Sequence, residues 1–115
     1  MASHPCACAL SAVETFCESR VPIELRGEIR LECSRRGNSI TITERRPPWN
    51  PELMGTDWTA IKVAQLRYDP SSRQWSLYCR DHNERWWPYD DADSAASIDP
   101  LLAEIDADPT GIFWG

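Results

Sequence analysis

The chain has 115 residues, 42% of them hydrophobic, with six tryptophans and a formal net charge of −6. That length predicts one domain, residues 1–115, able to bury roughly two-thirds of its unfolded surface, and the apolar content excludes intrinsic disorder. No apolar run reaches the length of a membrane span, and residues 1–10 lack the basic start and continuous apolar segment of a signal peptide. The expectation is a cytoplasmic protein that makes no membrane contact.

Charge is unevenly placed. All twelve basic residues, eleven of them Arg, lie at or before Arg85, and residues 88–115 hold seven carboxylates and no cation. Such an acidic end is a solvated face, or it repels nucleic acid and attracts a basic protein. Five cysteines, an odd number, do not make a complete disulfide framework. Cys33 and Cys79 fall on inward strand positions and read as small buried hydrophobes. His4, Cys6 and Cys8 form an H-x-C-x-C cluster, but a structural zinc needs a fourth ligand that the sequence does not supply. No metal and no cofactor is expected.

Residues 5–20 read as a helix, since Leu10, Val13, Phe16 and Cys17 recur at helical spacing and Pro5 suits a first turn. Val21-Pro22 ends it, because a residue before proline is pushed out of the helical region. The predicted sheet occupies residues 26–90. Its first hairpin pairs 26–36 with 39–46 through Gly37-Asn38, a pair suited to a tight turn. Ile29, Leu31, Cys33, Ile40 and Ile42 point inward. Glu44 shares their parity, and reads either as a strand-end partner of Arg46 or as a partly buried carboxylate of perturbed pKa.

Residues 47–59 carry three prolines and two tryptophans. They predict a loop that wraps the sheet edge with Trp49 and Trp58 against the core, or a binding loop. The third strand, 61–68, turns through Asp69-Pro70-Ser71-Ser72 so that Tyr68 faces Trp75, Leu66 faces Leu77 and Ala64 faces Cys79. The last hairpin pairs Gln74–Arg80 with 85–89. With His82-Asn83 as a two-residue loop and Asn83 left-handed, Cys79 faces Trp86, Tyr78 faces Trp87 and Ser76 faces Tyr89. Side chains alternate along a strand, so Trp75, Leu77, Cys79 and Trp86 form an apolar face. Tyr78, Trp87 and Tyr89 share the other with Arg67, Arg80, Arg85, Val63 and Gln65. A slip of one residue inverts this partition.

Residues 90–97 are a polar linker. Asp99-Pro100 predicts a helix start with Asp99 as cap, and Leu101, Leu102 and Ile105 give that helix an apolar side through Ala107. The segment 98–115 ends in Ile112-Phe113-Trp114-Gly115, too apolar to hang free, which is expected to dock on the sheet. The predicted fold is α+β, in the order helix, five-stranded antiparallel meander, helix, with both helices on one sheet face.

Five stretches, CESRVP (17–22), GNSITITERRP (37–47), VAQLRYDP (63–70), WSLYCRDHNERW (75–86) and LLAEIDADPTGIFWG (101–115), carry a resemblance. The chain resembles a bacterial family catalogued as domain of unknown function 3024. The resemblance implies a small bacterial cytoplasmic domain and carries no assigned activity. This sequence differs from the family's usual pattern at Glu84, where glycine is typical in the turn. It also differs at Trp87-Pro88, where polar residues are usual, and in its Cys-rich start.

Two classes of function follow from the residues. The first is a binding module that uses Arg67, Tyr78, Arg80, Arg85, Trp87 and Tyr89 on an open sheet face, unless residues 47–59 or 112–115 cover Tyr78, Trp87 and Tyr89 and make them core. These residue types are enriched in protein interfaces, so a protein partner or a second copy is expected. The alternative ligand is single-stranded nucleic acid, with bases on the aromatics and phosphates on Arg, although the acidic balance opposes it. The second class is a hydrolytic enzyme using Glu44, with Asp81 and His82 as further candidates and Arg45 and Arg46 as electrostatic partners. No spacing of a triad, P-loop or metal hydrolase supports it.

Overall fold

The structure is a computed structural model that describes residues 5–48, 52 and 57–114. Helix α1 spans Pro5–Arg20. Cys6, Ala9, Val13 and Cys17 are buried along one side of it, with Leu10, Ala12 and Phe16 packed beside them. The stripe is thus one turn longer than the Leu10-to-Cys17 pattern suggested. After Val21-Pro22 the chain makes a short 3-10 turn, Ile23–Leu25. The Leu25 carbonyl accepts from both Glu28 and Ile29, so the first strand cannot begin at Arg26 and starts four residues later.

Five antiparallel strands follow in the order β1-β2-β3-β4-β5: β1 Arg30–Arg36, β2 Ser39–Arg46, β3 Thr59–Asp69, β4 Gln74–Arg80 and β5 Trp86–Pro88. Arg36 pairs with Ser39 across Gly37-Asn38, and Gly37 adopts φ +60, a value glycine takes without steric cost. Between β3 and β4 the expected register is present, with Ala64, Leu66 and Tyr68 opposite Cys79, Leu77 and Trp75. The Tyr68 and Trp75 rings lie 5.1 Å apart and tilted, a favourable aromatic geometry. A register shift in β3 against Ile42 and Thr43 makes Val63 an extra, bulged residue. Val63 is therefore buried, where strict alternation had placed it on the outer face.

The β4–β5 hairpin differs from the expectation by one residue. Arg80, Cys79 and Tyr78 pair with Trp86, Trp87 and Pro88. The loop holds three residues, 82–84, closed by the Asp81 N–H donating to the Arg85 carbonyl at 3.0 Å. The left-handed residue is Glu84, at φ +66, and not Asn83. A three-residue loop ending in a left-handed residue is a standard hairpin closure, and it advances β5 by one position. Tyr89 consequently turns inward opposite Leu77, whose carbonyl accepts from its N–H at 2.8 Å.

Beyond β5, Ala95 forms an isolated bridge to Trp75, and the Ser76 and Ser94 hydroxyls lie 2.8 Å apart. The linker thus covers the end of β4 that β5 leaves. Helix α2, Asp99–Ala107, has Ile98 at its N-cap position. The Asp99 N–H donates to Ser97 Oγ at 3.2 Å, so Ser97 serves the end that Asp99 was expected to cap. Asp108 closes the helix in a left-handed conformation, and its carboxylate accepts from the Phe113 and Trp114 N–H groups. That fixes the apolar tail: Phe113 is buried against Tyr89, and Trp114 donates its indole N–H to the Ile105 carbonyl at 2.7 Å.

Leu101, Leu102 and Ile105 of α2 join the α1 stripe and the inward strand residues Ile40, Ile42, Ala64, Leu66, Trp75, Leu77 and Cys79 in one buried cluster. Each buried Leu or Ile contributes about 2 kcal/mol through removal from water. Among the described residues no helix is long and apolar enough to cross a membrane.

Candidate functional site

Strand alternation applied to the observed pairing gives the outer sheet face. Arg30, Arg36, Arg45, Lys62, Arg67 and Arg80 point outward, against Glu32 and Asp69. Tyr78 and Trp86 lie among them. The carboxylates that make the chain acidic at residues 88–115 sit instead on the linker, α2 and the tail. The net charge of −6 therefore conceals a basic face.

On the central strand of this face Arg67 is held by two neighbours, one of them braced in turn by a third residue. Its guanidinium carbon lies 3.8 Å from the Tyr78 ring centroid, a cation–π distance. Its Nε donates to Gln65 Oε1 at 2.6 Å, and Gln65 Nε2 donates to Thr41 Oγ1 at 3.0 Å. Adjacent strands bring these residues together, because β3 pairs Gln65 with both Thr41 and Tyr78. A second stack places Arg30 over the Trp58 ring at 4.3 Å. Trp58 is thus half-buried beside an outward arginine and lies outside the core it was expected to join. Trp49 falls outside the described residues.

Of the six residues expected to share this face, the structure assembles Arg67, Tyr78 and Arg80. Arg80 is paired with Glu84 at 2.9 Å. Arg85 is exposed in the turn, where its N–H donates to Asp81 Oδ1 at 2.9 Å. Trp87 takes the inward parity, opposite Cys79, yet is 51% exposed at the sheet's end. Tyr89 is 6% exposed and belongs to the core, with its hydroxyl donating to Glu104 at 2.9 Å. The place foreseen for Trp87 is taken by Trp86 and Pro88.

Asp81, offered by the sequence as a catalytic candidate, is committed to the turn. Its carboxylate accepts from the Asn83 and Arg85 N–H groups and from the Trp87 indole. The Arg85 N–H first, and then the Trp87 indole, hold its pKa below the usual carboxylate range. Glu44 is inward and 16% exposed, and accepts from Arg46 Nε at 2.6 Å. It borders a cavity of about 250 Å³ with Val21, Leu25, Leu31 and Trp114, in which it is the one lining carboxylate. Paired acid–base work needs a second such group.

Among the described residues no group of three His, Cys, Asp or Glu is placed to hold a metal. His4 lies outside the described residues, Cys6 is buried and Cys8 exposed. Burial, and then the neighbouring Cys33, push the Cys17 thiol up to about 12.

A cleft that the sequence did not signal opens beside the turn. It measures about 370 Å³ and lies between residues 60–63 of β3 and Arg80, Asp81, His82 and Glu84, with Ile112 and Phe113 at its inner side. Ile61 and Ile112 are 57% and 46% exposed there. Only the length of β3 relative to β4 could have announced this gap, and the bulge hides that length in the pattern.

The chain belongs to the family described as Domain of unknown function (DUF3024), whose model matches residues 1–115. No curated protein and no solved structure matches it.

Proposed function

We propose that this member of the DUF3024 family is a protein-binding module that holds an acidic partner on the outer face of its sheet. In this reading both helices lie on the apolar face, so the outer face is left to the partner. The observation that carries it is the Arg67 network, in which the Tyr78 ring and Gln65 fix the guanidinium before any ligand arrives. A planar guanidinium already held in place loses little entropy on binding a carboxylate through its Nη atoms. Arg36 lies in the same cross-strand row, beyond Ser39, and Arg80, Lys62 and Arg45 stand farther along the same face. The odd count of five cysteines does not make a complete disulfide framework, and we place the protein in the cytoplasm.

A second reading, single-stranded nucleic acid, draws on the same cations and on Trp86. It is weaker because Arg67 occupies the Tyr78 face on which a base would stack. Affinity capture from native lysate at low ionic strength, with wild type and with Arg67→Ala/Tyr78→Ala, tests the proposal. The variant is expected to lose an acidic protein partner. Equal capture by both, or capture of nuclease-sensitive material alone, would overturn it.

A further inference from the structure

We propose that the cleft between β3 and the β4–β5 turn receives an extended segment of a partner protein as an added strand, with acidic and apolar side chains in alternation. β3 runs over Thr59–Asp69, but β4 pairs with it only from Ala64 onward. Among the described residues, 59–63 therefore have a strand neighbour on the β2 side alone. Among the described residues, no backbone hydrogen bond outside the strand ladders reaches them. The four exposed residues 59–62 span about 13 Å at 3.3 Å per residue, enough for main-chain pairing with a short peptide.

The two walls of the cleft set the chemistry of the occupant. On the outer side stand Lys62 and Arg80. Arg80 already binds a carboxylate, Glu84, at 2.9 Å, although Glu84 is 80% exposed and sits at φ +66. Glu84 thus occupies the position an incoming carboxylate would take, and it is a displaceable occupant, because its own carboxylate side chain is solvated while Arg80 is mostly covered. On the inner side stand Ile61, Ile112 and Phe113. A strand presents alternate side chains to opposite faces, so one set meets the cations and the other meets the isoleucines. This proposal does not rest on the Arg67 network, and it shares Lys62 and Arg80 with the outer face.

The test uses the full chain, ¹⁵N-labelled, titrated with a synthetic octapeptide alternating Glu and Val. The controls are the same peptide N-methylated at alternate amides and a Lys-for-Glu version. Binding is expected to move the amides of residues 60–63 and 80–84, and both controls are expected to fail. Lys62→Ala should weaken binding about fivefold, the scale of one lost rim charge. Glu84→Gly should tighten it by removing the competing carboxylate, and Arg67→Ala should leave it unchanged. Absence of binding would mean that Lys62 simply guards an edge against aggregation, and would overturn the proposal. Equal binding of the N-methylated peptide, or shifts outside the cleft, would overturn it as well. So would shifts at residues 60–63 that grow with protein concentration alone, since a second copy would then be the occupant.

Discussion

The indole Nε1 of Trp87 donates a 2.7 Å hydrogen bond to Oδ2 of Asp81, while Oδ1 of the same carboxylate accepts from Asn83 and Arg85 at 2.8 and 2.9 Å. One side chain thereby holds both the loop and the first turn-facing residue of β5 that can reach it. In the register this favours, Cys79 faces Trp87 and Tyr89 enters the core. The make-up of the outer face follows from that arrangement.

Asp81 should make the hairpin sensitive to acid. Its pKa is lowered in the folded chain from an ordinary value of 3.8. Its stabilising contribution is therefore present above that value and is lost as pH falls through the lower, folded one. Thermal midpoints measured from pH 7 to pH 2 should show Asp81→Ala already lower at pH 7 and flatter on the acid limb than wild type. Parallel curves would refute this role.

Glu84→Gly should stabilise the protein. A left-handed conformation costs a non-glycine residue about 1 kcal/mol, and Glu84 holds φ +66. The pair with Arg80, exposed on its Glu84 side, returns only about 0.5 kcal/mol. The net gain, roughly 0.5 kcal/mol, should appear as a higher urea midpoint with an unchanged m-value.

Tyr89 should behave as a core residue. Tyr89→Phe removes the hydroxyl donated to Glu104 and should cost about 1 kcal/mol. Tyr89→Ala also forfeits the packing on Phe113, whose ring centroid lies 5.0 Å away, and should cost about 3–5 kcal/mol. A tyrosine on the outer face would change stability by less than about 0.5 kcal/mol in either variant, and urea denaturation separates the two cases.

The cysteines should differ in reactivity. At pH 8 an aromatic disulfide reagent should modify exposed Cys8 quickly and buried Cys17 only on unfolding, because the Cys17 pKa of about 12 leaves almost no thiolate. The same shift favours the fold below pH 9.0, the thiol's ordinary value, and that contribution is lost as pH rises toward 12. Fast labelling of Cys17 at pH 8 would contradict its burial.

Most of the architecture was legible in the residues. The bounds of α1, β2 and β4 follow from Val21-Pro22, from Gly37-Asn38 and from the clean alternation of Gln74–Arg80. The β5 register was not, because Asn83 is the residue type that favours a left-handed turn and Glu84 is not. The pertinent signal was the glycine typical of the family at position 84, which marks a third loop residue with positive φ. The bulge at Val63 left no trace, since valine suits a regular strand and a bulge alike. Trp58 was assigned to the core on its size alone, whereas an arginine on the outer face supplies its contact. Arg67, Tyr78 and Arg80 were placed on the outer face because β4, and β3 from Ala64 onward, keep simple alternation. Trp87 and Tyr89 were misplaced by the single residue that the loop adds.

The register of β5 decides which residues the outer face contains, and interstrand NOEs measure it directly. Because Leu77 and Tyr89, like Asp81 and Arg85, are joined by backbone hydrogen bonds, the intervening pair Arg80–Trp86 is non-hydrogen-bonded, with its α-carbons about 4.5 Å apart. A strong Hα–Hα NOE between Arg80 and Trp86, accompanied by one between Tyr78 and Pro88, is the predicted result. An Hα–Hα NOE between Cys79 and Trp86, or between Tyr78 and Trp87, would contradict it and return Tyr89 to the outer face.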